Sequence, residues 1–225
     1  MVVEGVHLIA AALAARIKPI ALLGTEAALA KPEIAALVRQ SELTPEVLTP
    51  AVFAAIADTE TASGIAAEIP LPEMKRKGAA VFLEGVQDPG NVGAIIRSAA
   101  AFGAGLVVLD RQCADPWSPK VLRAGMGGHF ALGIRQADDL AAAIAENGAK
   151  LICTVVHGGR PLREVGLSGA LAWAFGAEGA GLSPGLLELA AERVTIPMAG
   201  GESLNVAAAA AICLYETFNT SAAGS

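Results

Sequence analysis

Beyond residue 78 the chain alternates two kinds of segment, and that alternation fixes its fold class. Continuous apolar runs at 79–83, 106–109, 151–156, 171–175 and 194–196 are separated by stretches of helical pattern near 119–126, 137–147, 184–191 and 205–218. Runs without polar alternation suit strands buried on both faces, and strands separated by helices build a parallel sheet covered on either side. The expectation is an α/β domain. Ligands of such sheets bind at the carboxyl ends of the strands, which directs attention to the loops after Leu83, Phe175 and Ile196.

The first loop carries Asp88-Pro89-Gly90, which forces a turn, and Asn91, which is read as the N-cap of a helix. Val92, Ile95, Ile96 and Ala99 then fall at i, i+3, i+4 and i+7, and Phe102-Gly103 closes the helix. Arg97 lies off that stripe. Its neighbours three and four positions away are Gly93, Ala94, Ala100 and Ala101, so one cation stands on a strip of small residues that admits close approach.

The second loop, Gly176-Ala-Glu178-Gly179-Ala-Gly181-Leu-Ser183-Pro184, offers backbone amides to a ligand and sets one carboxylate among them. Its G-x-x-G-x-G spacing is not a dinucleotide fingerprint, and the loop does not open the first βαβ unit, so a nicotinamide oxidoreductase is disfavoured. The third loop, Pro197-Met198 through Gly200-Gly201-Glu202-Ser203-Leu204-Asn205, leads into an alanine-rich helix. Ser203 and Asn205 are candidates for a helix cap or for a ligand pocket.

Composition bounds the rest. With 225 residues, 54% apolar and 17% charged, the chain has ample material for a buried core. No run of about 18 apolar residues exists, and the alanine-rich start carries Glu4, His7 and Arg16, so a cytoplasmic protein without a membrane span is expected. Cys113, Cys153 and Cys213 are scattered, as are His7, His129 and His157, which predicts buried thiols and no metal cluster. The net charge of −6 supplies no global basic field, so nucleic-acid contact rests on local patches.

Residues 1–70 read as a small α/β module. Helices are expected at 2–16, 25–30, 32–40 and 49–58, with a short strand at 19–23, a second strand following, and extended chain at 64–69: about two strands among four helices. Residues 71–77 form a linker ending in Lys75, Arg76 and Lys77, and residues 78–225 form the second domain.

Taken together, LEGVQDPGNVGAIIRSAAAFGA, FGAEGAGLSP and VTIPMAGGESLNVAAAAAICLYE resemble, in order and spacing, the three motifs of the SpoU (TrmH-like) RNA ribose methyltransferases of the SPOUT superfamily. SPKVLRAGMGGHF resembles the segment between the first two, and VEGVHLIAAAL with ADTETASGIAA is similar to the family's substrate-binding module. The module starts almost on its EG-HL stretch, which predicts loss of its first strand and an altered RNA grip.

The resemblance implies a parallel sheet with a deep C-terminal trefoil knot, S-adenosyl-L-methionine bound in that knot, and a homodimer whose interface borders the site. It implies methyl transfer to a ribose 2'-hydroxyl of rRNA or tRNA, with Arg97, Asn91, Glu178, Ser203 and Asn205 as catalytic positions. Gly176, Ile196, Met198 and Leu204 would hold the cofactor, with no metal. Arginine is a poor free base, so Arg97 is read as a phosphate clamp that stabilises the forming alkoxide, with Asn91 and Glu178 ordering it and the ribose. Lys120, Arg123 and Arg135 are further candidates for phosphate contact. A knotted RNA-base methyltransferase and an RNA-binding protein without catalysis are the alternatives.

Overall fold

The structure is a computed structural model that describes residues 1–57, 62–72 and 78–223, with side chains to residue 220. The chain forms two compact units, Met1–Glu73 and Met74–Ser225. Lys75, Arg76, Lys77 and the end of the expected 49–58 helix lie outside the described residues.

The first unit holds β1 (Val2–Glu4), α1 (Val6–Ala14), β2 (Ala21–Thr25), α2 (Glu26–Leu29), α3 (Pro32–Ser41), β3 (Glu46–Leu48), α4 (Pro50–Ile56) and β4 (Ile65–Glu68). Its sheet has the order β1-β4-β2-β3. The first strand expected to be lost is therefore present: β1 pairs antiparallel with β4, Val3 opposite Ala67, and Val3 is buried. A single helix over 2–16 is ruled out by Gly5, whose φ of 97° turns the chain between β1 and α1. Among the described residues four strands stand among four helices where about two strands were expected, because β1 and β3 are three residues long and carry almost no periodicity.

The second unit holds β5 (Ala80–Glu84), α5 (Pro89–Ala101), β6 (Leu106–Asp110), α6 (Pro119–Gly125), β7 (Gly133–Ala137), α7 (Leu140–Asn147), β8 (Lys150–Thr154), β9 (Arg160–Pro161), β10 (Leu171–Gly176), α8 (Pro184–Leu189), β11 (Glu192–Thr195) and α9 (Val206–Ala223). Its seven strands run parallel in the order β7-β6-β5-β10-β8-β11-β9. Successive residues of each strand feed opposite faces: Val81, Leu83, Trp173 and Phe175 join one buried cluster, Ala80, Phe82, Ala172 and Ala174 the other. The edge strands β7 and β9 escape sequence reading, since one mixes Arg135 and Gln136 with apolar residues and the other is a dipeptide.

Strand order reverses between β5 and β10. From β5 the chain moves outward to β6 and β7, then returns to place β8 and β10 on the other side. Such a switch point opens a crevice at the carboxyl ends of the strands, and the first two expected loops both leave from it. Helix α9 closes one face: Trp173 Nε1 donates to Thr217 Oγ1 at 3.0 Å, and Thr217 Oγ1 donates to Cys213 O at 2.9 Å. Cys113, Cys153 and Cys213 are buried free thiols. Desolvation pushes them up to about 12, 11 and 12, so they remain protonated at neutral pH.

Candidate active site

The loop after β5 is pinned from below. Asp110, at the end of β6, accepts Gly85 N through Oδ2 at 3.0 Å and Gln112 N and Cys113 N through Oδ1 at 3.0 and 2.9 Å. Cys113 Sγ accepts Val86 N at 3.2 Å. Asp110 was not singled out from the sequence, and Cys113 was expected only as a buried thiol; the available signal was a carboxylate ending an otherwise apolar strand, where burial demands partners.

The N-cap of α5 is Asp88, not Asn91 as expected. Asp88 Oδ1 accepts Asn91 N at 2.8 Å, and Pro89 takes the first helical position. The physical reason is that Pro89 and Gly90 already adopt helical geometry, which moves the cap three residues upstream. The consequence is chemical: the Asn91 amide, relieved of capping, donates through Nδ2 to Glu178 Oε1 at 2.7 Å.

Asn205 completes the set. Its Nδ2 donates to Asn91 Oδ1 and to Glu178 Oε1, both at 3.0 Å. Its Oδ1 accepts Ala207 N at 3.0 Å and Ala208 N at 3.2 Å, capping α9. The two roles weighed for Asn205, cap and site, are filled by the two ends of one amide. Three loops far apart in sequence thus meet at one carboxylate oxygen, and Glu178 Oε2 keeps no partner among the described residues.

Below this triad lies a cleft of about 450 Å³, within the range of small-ligand sites. Gly176, Ile196, Met198 and Leu204, all expected at the cofactor, line it, as do Glu178, Ser203 and Asn205. Thr154, Val155 and Val156 at the end of β8 also line it and were missed, because that run reads as plain strand. Glycine at 176 has a local cause: a Cβ there would overlap the backbone of Gly181 and Leu182, where Gly181 N returns to Ala177 O at 2.8 Å. The close approach expected of a ligand is made by the loop itself.

Arg97 stands elsewhere. It is exposed, makes no side-chain hydrogen bond or ion pair among the described residues, and does not line the cleft. Six helical residues separate it from Asn91, which puts it roughly 9 Å along the axis and on another face. Within one chain Asn91 and Glu178 therefore do not order Arg97, contrary to the expected role. The strip of small residues beside it is occupied by the chain's own segment: a Cβ on Gly93 would clash with Ala124 and meet Val121 O at 2.7 Å, and one on Gly128 would meet Arg97 Cα at 3.1 Å. Lys120 and Arg123 are exposed on α6, whereas Arg135 is engaged by Glu146 at 3.3 Å.

The cleft suits S-adenosylmethionine. Its walls are apolar side chains and glycine-loop backbone, and Glu178 is its single charged residue, of the sign that suits a sulfonium. Residues 78–215 match the SpoU rRNA Methylase family, and residues 2–75 match the RNA 2'-O ribose methyltransferase substrate-binding family. A 23S rRNA (guanosine(2553)-2'-O)-methyltransferase of Bacillus subtilis is 38% identical over 75% of this chain and 70% of its own length. An uncharacterized tRNA/rRNA methyltransferase of Mycobacterium tuberculosis is 32% identical over 96% and 80%. Among solved structures, the SpoU methyltransferase AviRb of Streptomyces viridochromogenes with bound AdoMet superposes with a TM-score of 0.87 at 25% identity, covering 99% of this chain and 90% of that one.

Proposed function

The chain belongs to the SpoU family of RNA 2'-O methyltransferases, and on that premise we propose that its Asn91–Glu178–Asn205 triad is where a ribose is held for reaction. The protein transfers a methyl group from S-adenosylmethionine to a ribose 2'-hydroxyl of RNA. When bound, the cofactor supplies an electrophilic methyl on sulfur.

An alcohol is a weak nucleophile at neutral pH, so the protein's task is to align it and steady the charge that develops on oxygen. Two asparagine amides donate to one oxygen of Glu178 and hold its carboxylate in a single orientation. The other oxygen is left to accept the ribose hydroxyl. Ser203, whose hydroxyl has no partner among the described residues, shapes the rim. Gly176, Ile196, Met198 and Leu204 hold the cofactor, with Val155 and Leu182 completing the apolar wall. Arg97, free of internal partners, clamps the phosphate that the RNA carries in; its planar fork suits a phosphate.

Four finer features follow. The segment from β10 to α9 forms a deep trefoil knot, supported by the second and third motif loops sharing one cleft and by the likeness to SpoU structures. The protein is a homodimer: Ile212, Tyr215 and Phe218 stay exposed on α9, and the rings of Tyr215 and Phe218 lie 5.6 and 6.3 Å from Phe102 at the end of α5, making an apolar strip that a second copy would cover. The substrate is rRNA or tRNA, and the protein works in the cytoplasm; no described helix is long and apolar enough to cross a membrane.

The observation that carries this reading is the convergence of three motif loops on Glu178 at the mouth of the cleft. Incubation with methyl-labelled S-adenosylmethionine and total RNA, followed by digestion to nucleosides, should place label in 2'-O-methyl nucleosides. Label confined to bases would overturn it.

A further inference from the structure

The wall of the cleft formed by residues 176–182 leaves from and returns to the same residue, Glu84: its backbone at the start and its side chain at the end. Gly176, where the loop leaves β10, is in register with Glu84 across the β5–β10 pair. Seven residues later the loop comes back: Ser183 N donates to Glu84 Oε2 at 2.7 Å. Ser183 then caps α8, its Oγ accepting Leu186 N at 3.4 Å, so the tether sits where loop passes into helix. Between the two anchor points Gly179 and Gly181 take φ of 83° and 70°, conformations that glycine reaches without strain but does not enforce. The internal restraint is the Ala177–Gly181 bridge. Residues 176–182 all line the cleft, and Glu178 within them carries the triad.

We infer that Glu84 is a positioning residue for methyl transfer, its carboxylate tying the end of the glycine loop to the strand that carries the first motif. It does not line the cleft and touches no member of the triad. It acts through the loop. A hydrogen bond to a carboxylate is short and stronger than a neutral one, and this one spans 99 residues of sequence. The same strand end launches the Gly85–Asp88 turn that Asp110 pins, so Glu84 couples the placement of Glu178 to that of Asn91. Without the tether, Ser183 N reverts to water and the loop is restrained at one end only. The cost falls on cofactor affinity and on alignment at Glu178, while the RNA-facing cations on α5 and α6 are untouched.

The inference rests on the cleft being the cofactor site, a premise that S-adenosylmethionine binding to the unaltered protein tests by itself. Glu84→Ala should raise the calorimetric Kd for S-adenosylmethionine about tenfold, the scale of one lost hydrogen bond to a charged group, and leave the KM for RNA within about twofold. Glu84→Gln keeps an acceptor oxygen at the same reach and should stay within about threefold of the parent. Glu84→Asp keeps the charge but shortens the reach, and should behave as Ala does. Unchanged affinity in Glu84→Ala overturns the inference, as does full affinity in Glu84→Asp or equal loss in Gln and Ala at matched melting temperature. Should Glu84→Ala fail to fold, the contrast between Gln and Asp decides alone.

Discussion

The two units of this chain divide the labour of an RNA enzyme in an unexpected direction. The first unit, residues 1–73, falls from residue 2 onward within a match to a substrate-binding family that spans residues 2–75, yet holds four Lys and Arg against nine Asp and Glu, a net charge of −5. Residues 74–225 hold twelve against thirteen, a net charge of −1, with Lys120 and Arg123 exposed on α6 and Arg97 on α5. RNA is a polyanion, and affinity for it comes first from cations that release its counterions. A domain is thus placed by its family match but not by its field. On this comparison the electrostatic grip is expected in the second unit, with the first contributing contacts of shape and of hydrogen bonding.

Arg97 gives this comparison its hardest test. Replacing it with alanine should lower single-turnover methyl transfer by at least about 10²-fold, the scale on which removal of one transition-state donor is felt. S-adenosylmethionine affinity should be unaffected, since Arg97 does not line the cleft. Arg97→Lys keeps charge but loses the fork and should recover little of the rate. Were the residue a base, lysine, with the lower pKa, would regain rate as pH rises; a rescued alkaline limb would sink the clamp. Full activity in Arg97→Ala would show that the second unit grips RNA elsewhere.

A smaller effect separates field from fit. Removing residues 1–73, a compact unit by itself, should weaken RNA binding yet leave the slope of log affinity against log salt nearly as it was. The double variant Lys120→Ala with Arg123→Ala should flatten that slope by about 1.4, at roughly 0.7 per lost contact with a single strand. A slope that falls on removing the first unit instead would reverse the assignment.

The same contrast decided what the amino-acid sequence revealed. In the second unit β5, β6, β8 and β10 are largely apolar runs sealed between two layers of helix, so their positions are written in composition, whereas β11 (Glu192–Thr195) buries only Val194 and overlaps the expected run 194–196 by two residues. In the first, β1 and β3 are three-residue edge strands whose identity depends on partners far along the chain. The site shows the split again. The residues of the three motif loops were legible because glycines and isolated polar groups at strand ends are conspicuous. Asp88 as cap, Asp110 under the loop and Glu84 as tether were not, because each is defined by the backbone group it meets. Arg97 stood out in the sequence, yet its distance from the triad could be read only from the fold.

Acid should separate the two units by a still smaller margin, through His129. That ring is fully buried beside α6 in the second unit, its Nε2 paired with Pro116 O at 2.8 Å, its Nδ1 without a partner, and Trp117 lying 5.5 Å away. Burial disfavours the imidazolium and lowers its pKa to about 4, with the bond to Pro116 pulling weakly the other way. The unfolded chain takes up this proton near pH 6.5 and the folded chain near 4. Between those values the unfolded state binds more protons, so stability falls as pH falls, by about 3 kcal/mol across the window, and levels off below it. No such cost arises above pH 7. His129→Gln retains a donor for Pro116 O and does not titrate, so its melting temperature should fall less than the parent's between pH 7 and 4.5. Equal acid sensitivity in the parent and His129→Gln would remove the buried ring as the source of the pH response.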